Sequence, residues 1–577
     1  MGYFALIRQD GDAAATAALA ARMADTARRR GFITPMERQA GGYLLQMAPK
    51  MVSPTPQLYE SPNGDFVAVV GTFFYRGLYG QMALVKLLVD AQADSMDSNE
   101  LRGNYTVILF VRGALTVFVD ELGTYTAYKS ADGRIWSNSL LAVASALDRL
   151  TLSAQGVYEY VFQGAVYGGD TLVKEIKILS PHVSYQLLPD MKERPRDVIP
   201  NLTLRAGTLQ EHLDAVEPVL RDNFAAIVRA FNDNVDTALS GGYDSRLILA
   251  LLRAQGVQPE VHVYGSPNDA DVVVAKTIAK GEGIRLKHED KSQLKPADAD
   301  TIAAASQDQF WAFDGLPPDG VIGNGSDLAT RRSRTTGGRL ALNGGGGEVF
   351  RNFFYLPDRS FTVRDMVATF YSQYDPKTTT AAFDERRYLE ALRDKIAAIF
   401  PDAPERLNRT EVEYIYPGFR GRFWTGRNTA FNTHLGPALT PFFEMNVVRE
   451  ALRVPLRFKN HGIFEAALIT RIDPALARYP SAYGHDFTQA PSWKRRLKDH
   501  MTYLRPPSLR RLTFRLKNRL KPGRLAADVS PDVQAKLFPQ GLPVASRFFN
   551  VPAINDSGQM NRLLTIEYFC QALNVDV

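Results

Sequence analysis

Six consecutive residues near the middle of the chain have the side chains and glycines of a phosphate-binding loop. The segment Ser240-Gly241-Gly242-Tyr243-Asp244-Ser245 follows a short apolar run at 235–239 and leads into a helical pattern at 244–254. Two glycines let the backbone turn sharply and approach an anion, and the start of a helix offers unpaired N–H groups. The serines add hydroxyl groups, and Asp244 could hold a magnesium ion that shares the phosphate charge.

The same loop argues against one common nucleotide chemistry and leaves a structural alternative open. It lacks the lysine and the longer spacing of a Walker loop, so cleavage between the β and γ phosphates is not expected. On these six residues alone, a glycine-rich turn without a ligand is the competing interpretation. The elements around the loop therefore matter.

The first 200 residues or so show the alternation that is typical of strands. Examples lie at 43–47, 66–70, 105–110 and 115–119, and helical patterns at 14–30 and 80–92 interrupt them. This mixture predicts an α+β domain with mostly antiparallel sheets.

After Pro200 the pattern changes to alternating strands and helices. The loop-bearing strand and helix are followed by a strand at 261–264, a helix at 270–280 and a strand at 284–287. This spacing predicts a parallel sheet with crossover helices. Beyond Phe361 the pattern is mainly helical.

The loop and several later segments resemble the N-type ATP pyrophosphatases, in particular the class B asparagine synthetase family. The further matching segments, in the family's order, are Val261-His262-Val263-Tyr264-Gly265, Leu342-Asn343-Gly344-Gly345-Gly346-Gly347-Glu348-Val349-Phe350, Arg427-Asn428 and Leu439-Thr440-Pro441-Phe442-Phe443-Glu444. The resemblance implies an Ntn-hydrolase-like α+β domain at 1–200. It also implies a doubly wound α/β ATP pyrophosphatase domain, of the adenine nucleotide alpha hydrolase-like class, at 205–577.

The resemblance also implies which residues bind ATP and Mg²⁺. Asp244 and Glu348 would be the catalytic residues and the metal ligands. The nucleotide site would comprise Leu239, Ser240, Gly241, Gly242, Tyr243, Asp244, Ser245, Val263, Tyr264, Gly344 and Gly345.

Two departures from the family lie in the N-terminal part. A glutaminase of this family needs a cysteine at position 2, where this chain has Gly2, and the glutamine-binding stretch at 70–75 has no carboxylate. We therefore expect no release of ammonia from glutamine. β-Lactam synthetases and lasso-peptide cyclases resemble this pattern, and they join a substrate amine to an adenylated carboxylate.

Two further departures concern the synthetase site. An aspartate of the family's acidic loop is glycine here, which leaves Glu348 as its one carboxylate. The family's lysine before a phenylalanine is missing from Tyr483-Gly484-His485-Asp486-Phe487. His485, Lys494 or Lys498 could supply the charge, although a packing or surface role is the favoured interpretation of His485.

A basic stretch at 493–524 interleaves arginines and lysines with leucines, and Asp499 is its one acid. The hypotheses are weak association with an anionic membrane surface, an acidic or phosphorylated substrate, or a solvated helical face. Nucleic acid is the least favoured partner, because the net charge is only +6 and no RNA-binding module is recognisable.

Composition indicates a chain of the reducing cytoplasm. Cys570 is the only cysteine among 577 residues, which excludes a disulfide framework or a zinc cluster. We see no signal peptide, and the best apolar stretch, 105–119, is broken by Arg112 and fits two strands better than a membrane span.

The expected function is ATP-dependent amide-bond formation through an acyl-adenylate, with release of AMP and pyrophosphate. The amine would come from a peptide or small molecule, and a precursor peptide, a partner protein or a homodimer could be involved. One alternative is an ammonia-dependent enzyme that amidates a sugar acid of a surface polysaccharide. Another is a non-catalytic scaffold or binding subunit.

Overall fold

The computed structural model describes residues 1–53, 57–200, 202–290, 297–520 and 523–577, without the side chains of 517–520. The basic stretch at 493–524 therefore lies partly outside the described residues.

Two antiparallel sheets make up most of the first 200 residues. Their strands are β1 (Tyr3–Arg8), β2 (Met36–Ala40), β3 (Tyr43–Ala48), β4 (Leu58–Glu60), β5 (Phe66–Tyr75), β6 (Leu78–Tyr79), β7 (Leu101–Val111), β8 (Ala114–Val119), β9 (Tyr128–Ser130), β10 (Ile135–Ser137), β11 (Ile176–Ile178), β12 (Val183–Gln186) and β13 (Lys192–Pro195). The helices are α1 (Ala13–Arg30), α2 (Gly80–Gln92), α3 (Leu140–Ala146) and α4 (Ala154–Gln163). The strand orders are β11-β9-β10-β1-β3-β2 and β13-β12-β8-β7-β5-β4, with β6 paired to β5.

The two sheets pack face to face between layers of helix. Alternate residues of β1 and β5, such as Phe4, Leu6 and Phe66, meet in a core between the sheets. The opposite face of β1 is covered by α1 and α3, and the outer face of β5 by α2. The pairings in both sheets are antiparallel, which confirms the predicted α+β arrangement. Because β1 and β5 are covered on both faces, their residues are mostly apolar on both sides.

The rest of the chain contains a parallel sheet and many helices. The strands of this part of the chain are β14 (Val235–Ala238), β15 (Glu260–Tyr264), β16 (Leu286–Glu289), β17 (Leu340–Leu342), β18 (Phe361–Thr362), β19 (Arg406–Leu407) and β20 (Ala438–Leu439). Of these, β18 and β19 form a separate two-stranded sheet. The helices are α5 (Leu209–Phe231), α6 (Tyr243–Arg253), α7 (Ala270–Glu282), α8 (Ala299–Ala312), α9 (Ser326–Thr335), α10 (Val363–Met366), α11 (Glu385–Ala397), α12 (Arg409–Ile415), α13 (Gly426–Leu435), α14 (Met445–Leu452), α15 (Leu456–Lys459), α16 (Ile463–Ile472), α17 (Pro474–Ala477), α18 (Trp493–Tyr503), α19 (Pro507–Leu520), α20 (Pro531–Leu537), α21 (Pro543–Phe548) and α22 (Ser557–Leu573).

The parallel sheet has the order β16-β15-β14-β17-β20, and all four pairings are parallel. The chain thus moves outward from β14 to β15 and β16, then returns to the other side of β14 to form β17. The predicted parallel sheet with crossover helices is confirmed in these strands. The proposed boundary near 200–205 falls between β13 and α5, and it stays a prediction.

The C-terminal residues return to the N-terminal part of the chain, at the segment between α3 and α4. The backbone N–H groups of Leu152 and Asp576 donate hydrogen bonds of 2.8 Å to the carbonyls of Asp576 and Leu150, respectively. Among the described residues, no helix is both long and apolar enough to cross a bilayer.

Candidate functional site

The loop at 240–245 is held at its base by its own serines. Ser240 Oγ and Ser245 Oγ lie 2.9 Å apart, and the backbone N–H of Ser240 donates to Ser245 Oγ at 3.0 Å. The backbone N–H of Gly242 donates to Ser240 Oγ at 3.2 Å. These bonds fix the turn between β14 and the first residue of α6, and the helix start faces the same end of the sheet.

Neighbouring chain segments hold the loop from outside. The backbone N–H of Gly241 donates to Asp271 Oδ1 at 2.8 Å, and the carbonyl of Gly241 accepts from the N–H of Ala482 at 3.0 Å. A Cβ atom on Gly241 would lie 2.6 Å from the Cβ of Ala482, so this close approach requires glycine.

The glycine-rich loop after β17 packs directly on the start of α6. A Cβ atom on Gly344 would lie 3.1 Å from Asp244 Cβ, and one on Gly347 would lie 2.6 Å from Asp244 Cγ. The backbone N–H of Gly345 donates to Asn343 Oδ1 at 2.9 Å. The structure therefore brings together the two loops that the sequence singled out.

Their position is where an open parallel sheet usually binds ligands. Both loops leave the carboxyl ends of adjacent strands, β14 and β17. The order of the sheet reverses between these two strands, and the crevice at such a switch point is the usual ligand site of α/β folds.

A cluster of three carboxylates around one arginine lies at the start of α6. Arg351 Nη2 is 2.8 Å from both carboxylate oxygens of Asp244 and 3.7 Å from Glu348 Oε1, and Arg351 Nε is 3.1 Å from Glu465 Oε2. The side chain of Glu465 is fully buried. One guanidinium thus faces more negative charge than it can neutralise.

Burial and mutual repulsion change the acidity of this cluster. Burial raises the pKa of the Asp244 carboxyl, the Arg351 charge lowers it, and Glu348 raises it further. Burial and then the neighbouring Asp244 hold the pKa of Glu465 well above its usual range. Strongly perturbed carboxyls at a loop crevice are typical of functional sites.

Glu348 is oriented by a π-helical stretch, Tyr416–Thr425. The hydroxyl of Tyr416 donates to Glu348 Oε2 at 2.5 Å, and the N–H of Gly346 donates to the same oxygen at 3.2 Å. Short π-helical insertions often lie at functional sites. The side chain of Glu348 is 31 % exposed, so it remains accessible to a ligand.

The predicted nucleotide residues on β14 and β15 lie beside the loop. Leu239 and Val263 are buried, and Tyr264 is half-buried with its ring 4.8 Å from that of His262. Leu239 N–H donates to the carbonyl of His262 at 2.9 Å, which ties the loop to β15. The ring of Tyr243 stacks at 4.3 Å on Phe487 and lies 5.6 Å from the guanidinium carbon of Arg351.

Two of the three candidates for the missing lysine line a cavity near the cluster. Lys494 and Lys498 line a cavity of about 510 Å³ together with Tyr355 and Tyr483. A smaller cavity, lined by the same two tyrosines, also reaches Arg351.

His485, by contrast, lines a separate groove on the far side of Tyr243. Its Nδ1 lies 3.4 Å from the carbonyl of Tyr483, and burial lowers the pKa of the imidazole. This environment supports the packing role over a catalytic one.

Arg427 and Glu444, two residues from segments singled out in the sequence, connect the N-terminal and C-terminal halves of the chain. Arg427 donates through Nε to the carbonyl of Leu316 at 3.0 Å, and its Nη1 bonds the hydroxyl of Tyr128. Both carboxylate oxygens of Glu444 accept from the backbone N–H of Gly103 at 3.0 Å. Neither side chain contacts the loop at 240–245 through these bonds.

The N-terminal sheets have no room for a nucleophile at position 2. A Cβ atom on Gly2 would lie 2.7 Å from the ring of Phe32 and 2.9 Å from Lys50 Cα. Burial lowers the pKa of the Lys50 amine to about 7, and this amine donates to Thr72 and to the carbonyl of Gly436. Packing therefore agrees with the absence of a cysteine there.

Sequence reasoning missed four residues of the site. The sequence alone assigns no role to Arg351, Tyr416 or Asp271. Glu465 could have been noticed as the one acid in a mostly apolar helical run, Ile463–Ile472. An ionisable residue on the buried face of a helix is unusual unless it has a partner.

No protein-family model matches the chain, and no curated protein matches it. Among solved structures, the chain aligns with glutamine phosphoribosylpyrophosphate amidotransferase from B. subtilis at 12 % identity and a TM-score of 0.23, over 52 % of this chain and 69 % of that one. A second structure, described as the allosteric regulatory enzyme of purine biosynthesis, aligns at 10 % identity and a TM-score of 0.23, over 52 % and 68 %. At these TM-scores the alignments carry no argument about fold or activity.

Proposed function

We propose that the chain binds ATP at the crevice between β14 and β17 and joins an amine to a carboxylate through an acyl-adenylate. The observation that carries the proposal is the packing of the glycine loop at 344–347 on Asp244, at the switch point of the parallel sheet. Two glycine-rich loops and a helix N-terminus in one crevice supply many N–H groups for a polyphosphate.

In this proposal the loop residues bind the β and γ phosphates that leave as pyrophosphate. The backbone of 240–242, the hydroxyls of Ser240 and Ser245 and the N-terminus of α6 face these groups. Val263 and Tyr264 contact the nucleoside, while Gly344 and Gly345 allow the second loop to approach the phosphates. The chain's main contribution to rate is to align the carboxylate with the α-phosphate and to stabilise developing charge.

The donor chemistry of the cluster fits Mg²⁺. Asp244 and Glu348 provide carboxylate oxygens, and the buried carboxyl of Glu465, whose Oε2 lies 3.1 Å from Arg351 Nε, lies close to them. Within the described ranges, however, no group of three or more His, Cys, Asp or Glu side chains is arranged to hold a metal. We therefore assign Asp244 and Glu348 as ligands of an ion that takes its other ligands from phosphate and water, as Mg²⁺ often does. Such an ion would neutralise phosphate charge.

The positive charge of the missing lysine is assigned to Lys494 or Lys498. Both line the cavity that borders Tyr483, in the segment where the family carries its lysine. Arg351 is the third nearby cation, and its contacts with Asp244 orient that carboxylate. Glu348 then either holds the ion or accepts the proton of the attacking amine.

In this proposal the amine belongs to a peptide or a small molecule. The candidate binding partners are a precursor peptide, a partner protein and a second copy of the chain. The tight packing at Gly2 supports an amine that does not come from glutamine hydrolysis. The experiment below separates this proposal from a scaffold role, since a scaffold would not turn ATP over.

The test follows ATP incubated with the purified chain, Mg²⁺ and a small-molecule extract of the source cells. We expect AMP and pyrophosphate from the wild type and none from Asp244→Ala, with ADP unchanged. Asp148→Ala, whose side chain is 94 % exposed, is the matched control and should behave like the wild type. Equal AMP production by wild type and Asp244→Ala would refute the assignment of the loop.

A further inference from the structure

Helices α18 and α19 each expose a row of large apolar side chains. Trp493, Leu497, Met501 and Leu504 follow each other at helical spacing along α18 and are 50 to 70 % exposed. Along α19, Leu509, Leu512 and Leu516 also follow each other at helical spacing and are 42 to 53 % exposed. We call these seven residues the α18–α19 surface.

In α19 several arginines face the protein and the leucines face solvent, the opposite of an ordinary surface helix. Arg511 and Arg515 turn towards the protein and contact Glu385 Oε1 at 2.5 and 2.7 Å. Arg510 likewise donates to the backbone carbonyls of Phe354 and Tyr355. Because the arginines are bound inward, the leucines are left facing solvent, which a solvated helical face does not explain.

Cations surround the apolar residues without acidic partners. Lys494, Arg496, Lys498 and Arg505 are exposed, and in the ranges that the structure describes none of them forms an ion pair. The one acid of α18, Asp499, is buried and lies 2.8 Å from His461 Nδ1. The face that α18 presents to solvent is therefore apolar and cationic.

We propose that the α18–α19 surface binds an anionic lipid bilayer and lies in the plane of its interface. Exposed tryptophan, leucine and methionine would enter the headgroup and acyl boundary, and the exposed Arg496 and Arg505 would contact lipid phosphates. Charge complementarity with the anionic surface selects this occupant. Since α18 also lines the cavity of about 510 Å³, binding would hold that cavity beside the bilayer.

The test uses the full chain and vesicle flotation. Vesicles of phosphatidylcholine are compared with vesicles that contain about one third phosphatidylglycerol. We expect binding to the anionic vesicles that weakens as salt is added, and much weaker binding to the neutral ones. The double variant Leu497→Glu/Met501→Glu should lower the partition coefficient at least about tenfold, because it places carboxylates at the apolar boundary.

Matched controls separate the surface from general effects of new charge. The double variant Ile33→Glu/Met82→Glu changes two residues that are each 66 % exposed but lie outside the surface, and it should bind like the wild type. Arg496→Gln and Arg505→Gln should each weaken binding about fivefold on anionic vesicles. Circular dichroism checks that each variant is folded.

Three outcomes would overturn the proposal. The first is a folded wild type that fails to float with anionic vesicles, and the second is a Leu497→Glu/Met501→Glu variant that floats equally well. The third is a dimer in light scattering that this variant dissociates, together with no vesicle binding, since the surface would then be an interface between two copies.

Discussion

Position 347 must be glycine because the side chain of Asp244 leaves no space for a Cβ atom there. A methyl group there would overlap the carboxylate of Asp244, which Arg351 holds from the other side. We predict that Gly347→Ala displaces the second glycine loop and lowers ATP affinity at least about tenfold, since overpacking of a tight contact costs about 1–3 kcal/mol. Isothermal titration with ATP measures the change.

Gly169→Ala is the matched control for this prediction. A Cβ atom on Gly169 meets no other atom within 4 Å, so the substitution adds a methyl group in open space. ATP affinity equal to that of the wild type in both variants would contradict the assigned packing of the loop on Asp244.

At the scale of elements, Asp314 joins helices from distant parts of the chain. Its carboxylate accepts from Ser139 Oγ at 2.6 Å and from the N–H of Leu140 at 2.8 Å, and it lies 3.5 Å from Arg30 Nε of α1. We predict that Asp314→Ala destabilises the protein by roughly 3–5 kcal/mol, because it takes the carboxylate away from the buried Arg30 guanidinium and removes the acceptor for the N–H groups of Leu140 and Leu141 at the start of α3. Urea denaturation followed by circular dichroism measures the loss.

An exposed helix cap gives the comparison. Asp384 accepts from the N–H of Arg387 at 3.0 Å at the start of α11, and this bond is exposed to solvent. Asp384→Ala should therefore cost only about 1 kcal/mol. Equal destabilisation by the two variants would show that the buried ion pair at Asp314 contributes little.

Local patterns predicted the elements because their physical basis is local. The alternation of apolar and polar residues located the strands on either side of Arg112. Arg112 itself lies in the turn between β7 and β8 and has a φ of 51°. Pairing of β14 with β17 joins Val235 to Leu340, and no local pattern encodes such a partner. Arg351 was missed for the same reason, since its role depends on Asp244 and on Glu465.

The basic stretch at 493–524 also depends on contacts that are distant in sequence. Periodicity predicted amphipathic helices at 493–524, and α18 and α19 lie there. Which face of α19 meets solvent depends on Glu385, which is far away in sequence and binds two of its arginines. Composition alone could therefore not distinguish a solvated basic face from an exposed apolar one.

At the scale of the whole molecule, Glu444 connects the two halves of the chain and should make folding depend on pH. Its buried carboxylate contacts the backbone of Gly103 in β7, and burial raises its pKa from 4.5 to about 7. Between these values the unfolded carboxyl has lost its proton while the folded one keeps it. Its contribution to stability is therefore complete below pH 4.5 and is lost as the pH rises towards 7.

Glu444→Gln removes this titration and keeps an acceptor for Gly103. We predict that the variant gains stability relative to the wild type between pH 5 and 7.5, by about 3 kcal/mol in total. Urea denaturation at a series of pH values measures the difference, with Glu405→Gln on the exposed surface as the control for the loss of one carboxylate. A difference that stays constant across this range would mean that Glu444 ionises alike in both states, and the contact between the halves would then not depend on its proton.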